Sequence, residues 1–385
     1  MKVTFTKETV FSGLQNAISV IPSKTGAAYL RTIWIIADNN TVTFQSTDAN
    51  MEFTGSYAAE VEEPGMVGVH GQIFYGLLNN CTGSIELEYK EDDILYLHHR
   101  NGVCKLPVVT QNWYQSMVPF PDENVIYWTG EFLQTAITQV FYCIDEDSSL
   151  DALTCLLIKP QPLSPGKMDI CGLNGHQFAM YSMVHEDMVA KLPNDGLLIQ
   201  KIYLQQITKW LPKGEILINY DDKRIFLKKN NNEVLSVPRA IYPYPDYNNF
   251  LNKLKVDSVS YLNLHRSDLK SALQRISTVN NDIKNCTDFY IAENRNMINC
   301  SAKGETSGEV LEKFAVEYDG DIKRITFRTK DLLTILDHFS SEDITMKMTT
   351  NEGPCAISGD DDPFYLVVVM PIKTVESVYE SEESV

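Results

Sequence analysis

Little in this sequence supports chemistry or membrane insertion. No P-loop, GxGxxG, GxSxG or HExxH motif occurs in its 385 residues. The longest apolar run, Phe364 to Ile372, is too short to span a bilayer. Met1 to Thr9 is polar and alternating where a signal peptide needs an apolar stretch. The expectation is a soluble, cytoplasmic protein with no membrane partner. Its eight cysteines form no CxxC pair and mostly sit inside apolar runs, which predicts buried reduced thiols and no zinc site. Basic residues are scarce as well: 33 Lys and Arg stand against 51 Asp and Glu, a formal net charge of -18. Phosphate is repelled by such a surface, so a protein that grips nucleic acid over its whole exterior is excluded.

The polar clusters that remain have bland readings. Its seven histidines are dispersed, and His98-His99 ends a strand as surface decoration. Asp92-Asp93 and Asp360 to Asp362 occupy turn positions. Asn174, Gly175 and His176 invite a catalytic reading, yet Asn-Gly is equally a turn signal ahead of the apolar Phe178, Ala179 and Met180. No catalytic residue, metal or cofactor is expected.

What the chain does have is repetition. Ser258 to Ile276 reads as a short alternating strand, then a helix with Ser267 as its N-cap and Leu269, Ala272, Leu273 and Ile276 on one apolar face. The design recurs at Ile126 to Val140, with Thr129 as cap and Leu133, Ala136, Ile137 and Val140 as the face. It recurs again at the start, with Thr6 as cap and Val10, Gly13, Leu14 and Ala17 as the face. Each copy has Ala or Gly at the second face position, where a small residue lets a neighbouring element approach. Paired strand signals, a second strand-then-helix unit and two closing strands follow each helix. The copies start roughly 125 to 140 residues apart, which makes each one domain-sized. We read three α+β domains, each with two helices and about eight strands. Acids gather in first helical turns, at Glu8, Glu131, Asp268 and Asp331, and later turns are mostly neutral or basic, with Asp337 the exception.

Four stretches, taken in this order and register, resemble the bacterial DNA polymerase III beta subunit, or sliding clamp, family. They are Ser46-Thr47-Asp48 to Glu52, Leu173-Asn174-Gly175-His176-Gln177-Phe178, Tyr244-Pro245-Asp246-Tyr247 and Val367 to Ile372. The resemblance covers residues 1 to 373. It implies three repeated clamp-type domains, at 1–123, 124–255 and 256–373, each with two helices packed on antiparallel sheets. Two chains would form a head-to-tail dimeric ring around double-stranded DNA. Thr374 to Val385 departs from the family by continuing past its usual end, and its four glutamates lead us to expect a disordered acidic tail that weakly screens the groove. Lys24, Lys201, Lys209, Lys270, Arg275, Arg328 and Lys330 are then the DNA contacts. A peptide groove is implied at Leu153, Leu173, Gly175, His176, Phe178, Pro245, Phe250, Val368, Val369, Met370, Pro371 and Ile372. The replicative polymerase, the clamp loader and other clamp-binding proteins would share it. The homodimer seam would fall at Cys104 and Leu106 on one side and Ile276, Thr278 and Val279 on the other. Gln177, Leu173-Asn174 and Asn249 depart from the family pattern and imply a less cationic groove, and Ala27 to Arg31 replaces a Leu-Pro segment. The alternative is a non-enzymatic repeat scaffold that binds only proteins.

Overall fold

A computed structural model describes residues 1–22, 27–90, 92–161, 164–255, 259–279, 285–292, 295–304 and 307–373. One order of elements is used three times. The first copy holds β1 (Lys2–Thr6), α1 (Lys7–Val20), β2 (Thr32–Asp38), β3 (Thr41–Thr47), β4 (Glu52–Ala58), β5 (Glu60–Glu63), β6 (Gly65–His70), α2 (Gly71–Asn79), β7 (Ser84–Tyr89), β8 (Ile94–His99) and β9 (Gly102–Val109). The second holds β10 (Ile126–Thr129), α3 (Gly130–Phe141), β11 (Cys155–Pro160), β12 (Lys167–Leu173), β13 (Gln177–Val184), α4 (Glu186–Lys191), β14 (Leu197–Gln200), α5 (Lys201–Trp210), β15 (Glu215–Tyr220), β16 (Arg224–Lys229) and β17 (Val234–Pro238), and α6 (Asn248–Lys253) follows it. The third holds β18 (Ser260–His265), α7 (Arg266–Val279), β19 (Cys286–Ile291), β20 (Met297–Gly304), β21 (Gly308–Ala315), β22 (Glu317–Asp319), β23 (Arg324–Arg328), α8 (Thr329–Asp337), β24 (Asp343–Met348), β25 (Cys355–Gly359) and β26 (Tyr365–Val369).

The predicted helical faces are the buried ones. Val10, Gly13, Leu14 and Ala17 are inside, as are Leu133, Ala136, Ile137 and Val140, and Leu269, Ala272, Leu273 and Ile276. The small second position matters most at Gly13. A Cβ there would stand 1.5 Å from the Tyr57 hydroxyl of β4, so the strand lies directly on the helix because nothing projects between them. Two of the three caps differ from expectation. Helix α7 starts at Arg266, which places Ser267 inside its first turn. Thr6 does hold the N-cap position of α1, but its hydroxyl meets the Thr9 hydroxyl at 2.7 Å and caps no amide.

Two short helices were not anticipated. In the first and third copies a short strand lies beside the opening strand, β5 on β1 and β22 on β18. In the second copy α4 takes that place and packs on β10. Local chemistry favours it: His185 Nδ1 accepts from the Met188 amide at 3.1 Å, Glu186 and Asp187 fill the first turn, and Lys191 pairs with Asp187 at 2.6 Å. The other is α6, just before the third copy.

Each copy builds two antiparallel sheets. One runs β9-β8-β7-β1-β5 in the first copy, β17-β16-β15-β10 in the second and β26-β25-β24-β18-β22 in the third. The other runs β4-β3-β2-β6, β13-β12-β11 and β21-β20-β19-β23. Sheets of neighbouring copies then fuse edge to edge. The last strand of the second copy, β17, pairs with β4 through Leu235↔Phe53, and the last strand of the third, β26, pairs with β13 through Phe178↔Val368. Because main-chain pairing crosses these seams, the compact units of the chain ignore the repeat boundaries. One unit is 1–137 with 185–241; the other is 138–184 with the chain from 242 onward.

Candidate peptide groove and DNA-facing helices

The groove residues are assembled within the second unit by strand register. Leu173 lies opposite Phe178, and Phe178 opposite Val368, so the three side chains form one row across β12, β13 and β26. The α6 segment covers part of this row. Tyr247 stacks on Phe178 with ring centres 5.2 Å apart, and Phe250 meets the same ring edge-on at 5.0 Å. Phe178 is therefore 2 % exposed, whereas Leu173, Pro245, Phe250 and Ile372 remain half-buried and Met370 is exposed. Val369 pairs with Gln177 and so points to the opposite face from Val368; with Pro371 it belongs to the interior. The chain beyond β26 is held in place by two amides, Met370 donating to the His176 carbonyl at 2.9 Å and Ile372 to the Thr326 carbonyl at 2.8 Å.

Further along the same face of β12 sits a polar anchor that sequence reading missed. Asp169, 2 % exposed, accepts from Gln161 at 2.6 Å, from the Ser182 hydroxyl at 2.6 Å and from the Tyr247 hydroxyl at 2.9 Å. Burial first, and then the Asp169 carboxylate beside it, push the Tyr247 phenol up, so it stays protonated and donates. Tyr247 thus holds the Phe178 ring from a fixed position. The Asn174–His176 cluster is a turn: Asn174 Oδ1 accepts from the amides of His176 and Gln177 at 3.1 and 2.8 Å, and Gly175 takes φ +82°. Leu153 is not in a strand; it lies in a 3-10 turn, Asp151–Thr154, that packs on β11 and β12. Gln177 is buried and accepts from the Cys143 thiol at 3.8 Å.

The predicted DNA contacts fall into two kinds. On α7, Lys270 pairs with Asp337 at 2.5 Å and Arg275 forks onto Glu312 at 2.7 and 2.8 Å, a pairing that holds the Glu312 carboxyl below its usual range. Lys209, Arg328 and Lys330 are exposed, with no ion pair among the described residues. Lys201 is half-buried at the start of α5. Lys24 and the segment from Thr374 lie outside the described residues. The helices α1, α2, α3, α5, α7 and α8 together carry two more basic than acidic side chains, in a chain whose net charge is -18.

The expected seam residues are only partly at the surface. Leu106 and Ile276 are already buried in the single chain, Cys104 and Val279 are half-buried, and Thr278 is exposed with its hydroxyl donating to the Arg275 carbonyl at 2.7 Å. What does stand out is Val103 on β9, 49 % exposed, and Leu311 on β21, 55 % exposed. Both are apolar residues on the polar phase of an alternating strand, a signal present in the sequence. Among the described residues no three His, Cys, Asp or Glu side chains gather as a metal site, and no helix is long and apolar enough to cross a membrane.

Known proteins share this architecture. A solved DNA polymerase sliding clamp from Caulobacter crescentus superposes with a TM-score of 0.88 at 18% identity, covering 97% of this chain and 100% of that one. A DnaN sliding clamp from Bartonella birtlesii, solved bound to griselimycin, gives 0.86 at 19% over the same shares. At such identities the likeness establishes the fold, and the fold is that of a sliding clamp. A beta sliding clamp from Chlamydia pneumoniae is 21% identical over 377 residues, 97% of this chain and 99% of that protein. Two family models, the N-terminal domain of the DNA polymerase III beta subunit at residues 1–117 and its C-terminal domain at 256–373, together match more than half of the sequence. The chain belongs to the DNA polymerase III beta subunit family, the sliding clamps.

Proposed function

We propose that two copies of the chain close head to tail into a ring around duplex DNA, with modules near 1–123, 124–255 and 256–373. One observation carries this reading. The fourth strand of the first and second modules, an edge of its own sheet, is covered by the last strand of the next module: β4 by β17, and β13 by β26. The edge of equal rank in the third module, β21, has no such partner among the described residues, and β9, the last strand of the first module, pairs with β6 only at Val108 and Val109 and leaves Gly102 to Pro107 open on that side. A bare edge and a bare last strand on one chain are complementary between two chains. Leu311 and Val103 lie on these two strands.

The ring acts in the cytoplasm, holds DNA by topology and makes or breaks no bond. Its helices need only weak attraction for phosphate, which their excess of two basic side chains supplies. The groove of the second unit takes short extended segments of the replicative polymerase, the clamp loader and other clamp-binding proteins, inserting Leu or Phe anchors beside Leu173, Phe250 and Met370. The Bartonella birtlesii clamp bound to griselimycin supports a ligand site on this fold. The test is retention on DNA. Protein loaded onto a closed circle should survive a high-salt wash and be lost once the circle is linearised. Loss from both forms would favour a scaffold that binds only proteins.

A further inference from the structure

The groove continues past Leu153 onto a surface whose charge is uneven. The Leu153 carbonyl accepts from the Asp145 amide at 2.9 Å, which folds the 145–151 loop back beside the 3-10 turn. On that loop Leu150 is 60 % exposed, an apolar residue between the exposed Asp147 and Asp151 in the sequence. Neither carboxylate has an ion pair among the described residues. The basic residue of α6, Lys253, is exposed at the helix end, three residues on from Phe250 and so on the same helical side. Gln177 is neutral and buried, and Lys373 is already paired with Glu352 at 3.5 Å.

We infer that the groove reads charge as well as apolar anchors. It takes an extended segment of a partner protein in which Leu or Phe anchors are followed, on the Leu153 side, by an apolar residue over Leu150 and by Lys or Arg between Asp147 and Asp151. An acidic flank at that end is disfavoured. This rests on the groove reading above and adds to it a polarity and a preference. The attraction acts between exposed groups, so it is modest and screened by salt.

Binding of fluorescent peptides to the full chain tests it. A neutral peptide with Leu and Phe anchors is the reference, and four others carry Lys-Lys or Asp-Asp before or after the anchors. At low salt, Lys-Lys at one end should tighten binding by roughly fivefold over the reference and Asp-Asp at that same end should weaken it by a similar factor. Both differences should shrink toward none by about 0.5 M salt. In the Asp147→Asn, Asp151→Asn double variant the Lys-to-Asp ratio at that end should fall toward one. If the neutral peptide binds but charge at either end makes no difference, or if the double variant keeps the ratio, the inference is wrong while the groove stands. If the neutral peptide itself does not bind, the groove reading falls and the inference with it.

Discussion

Strands β4 and β21 hold the same rank in their modules and have opposite fates. Strand β4 is sealed by β17 and backed by a buried polar knot: Glu233, 1 % exposed, accepts from Asn16 at 2.9 Å and from Tyr57, Lys229 and Asn231 at 3.0 Å. Among the described residues strand β21 pairs on one side only, and it shows Leu311 to solvent. The contrast separates a seam the chain finishes by itself from one that, in the proposed ring, a second chain would finish. The first is fixed by ladder bonds and a satisfied buried charge; the second would be left to edges that can part.

The largest effect should come from the open edge. Leu311→Lys places a charge where we expect a buried side chain, and head-to-tail closure counts the change twice. At about 1.5–3 kcal/mol per buried Leu, the dimer dissociation constant should rise by at least ~100-fold with the fold of the single chain intact, as read by sedimentation. Next is the closed seam. Glu233→Ala strands Lys229 in a mostly buried site and removes the acceptor of Tyr57, and denaturant titration should show a loss of about 3–5 kcal/mol. If Glu233→Ala dissociated the dimer and left stability alone, the contrast between the two seams would be false.

A smaller effect separates the two kinds of cation. Arg328→Ala should make the dependence of DNA binding on salt shallower by roughly one unit of log–log slope for each phosphate left without its cation. Arg275→Ala should change it much less, because Glu312 already neutralises that guanidinium. Smallest is a pH effect at the loop leading into β26. Burial would raise the Asp362 carboxyl, but the amides and hydroxyls of Ser340 and Ser341, four donors in all, hydrogen-bond to it and hold it below the usual carboxylate range. A depressed folded-state value means stabilisation that is present above the ordinary carboxylate pKa and is lost as pH falls through the lowered one. Ser340→Ala should therefore raise the midpoint of acid unfolding by roughly half a pH unit.

Periodicity made much of this legible. The four-residue faces of α1, α3 and α7 and the hairpin signals gave the repeat, because burial on one side of a helix or sheet leaves a period in the sequence. The site was less legible for reasons particular to its residues. Lys270 and Asp337 are distant along the chain, as are Arg275 and Glu312, so their mutual neutralisation cannot be seen in a charge pattern. Asp169 looks like one more strand residue until the fold brings Tyr247 to it. Helix α4 was missed because six residues are too few to show a helical period, although its first-turn acids and Lys191 were in plain view. Leu311 and Val103 were readable as apolar residues out of phase, but that signal means something only once β21 and β9 are known to be edges.

Sedimentation equilibrium over the micromolar range, on the wild-type chain beside Leu311→Lys and Val103→Lys, tests head-to-tail closure most directly. The account predicts a two-chain species for the wild type and single chains for both variants, since each breaks the same seam from its own side. Single chains for the wild type, or a dimer indifferent to either substitution, would contradict it.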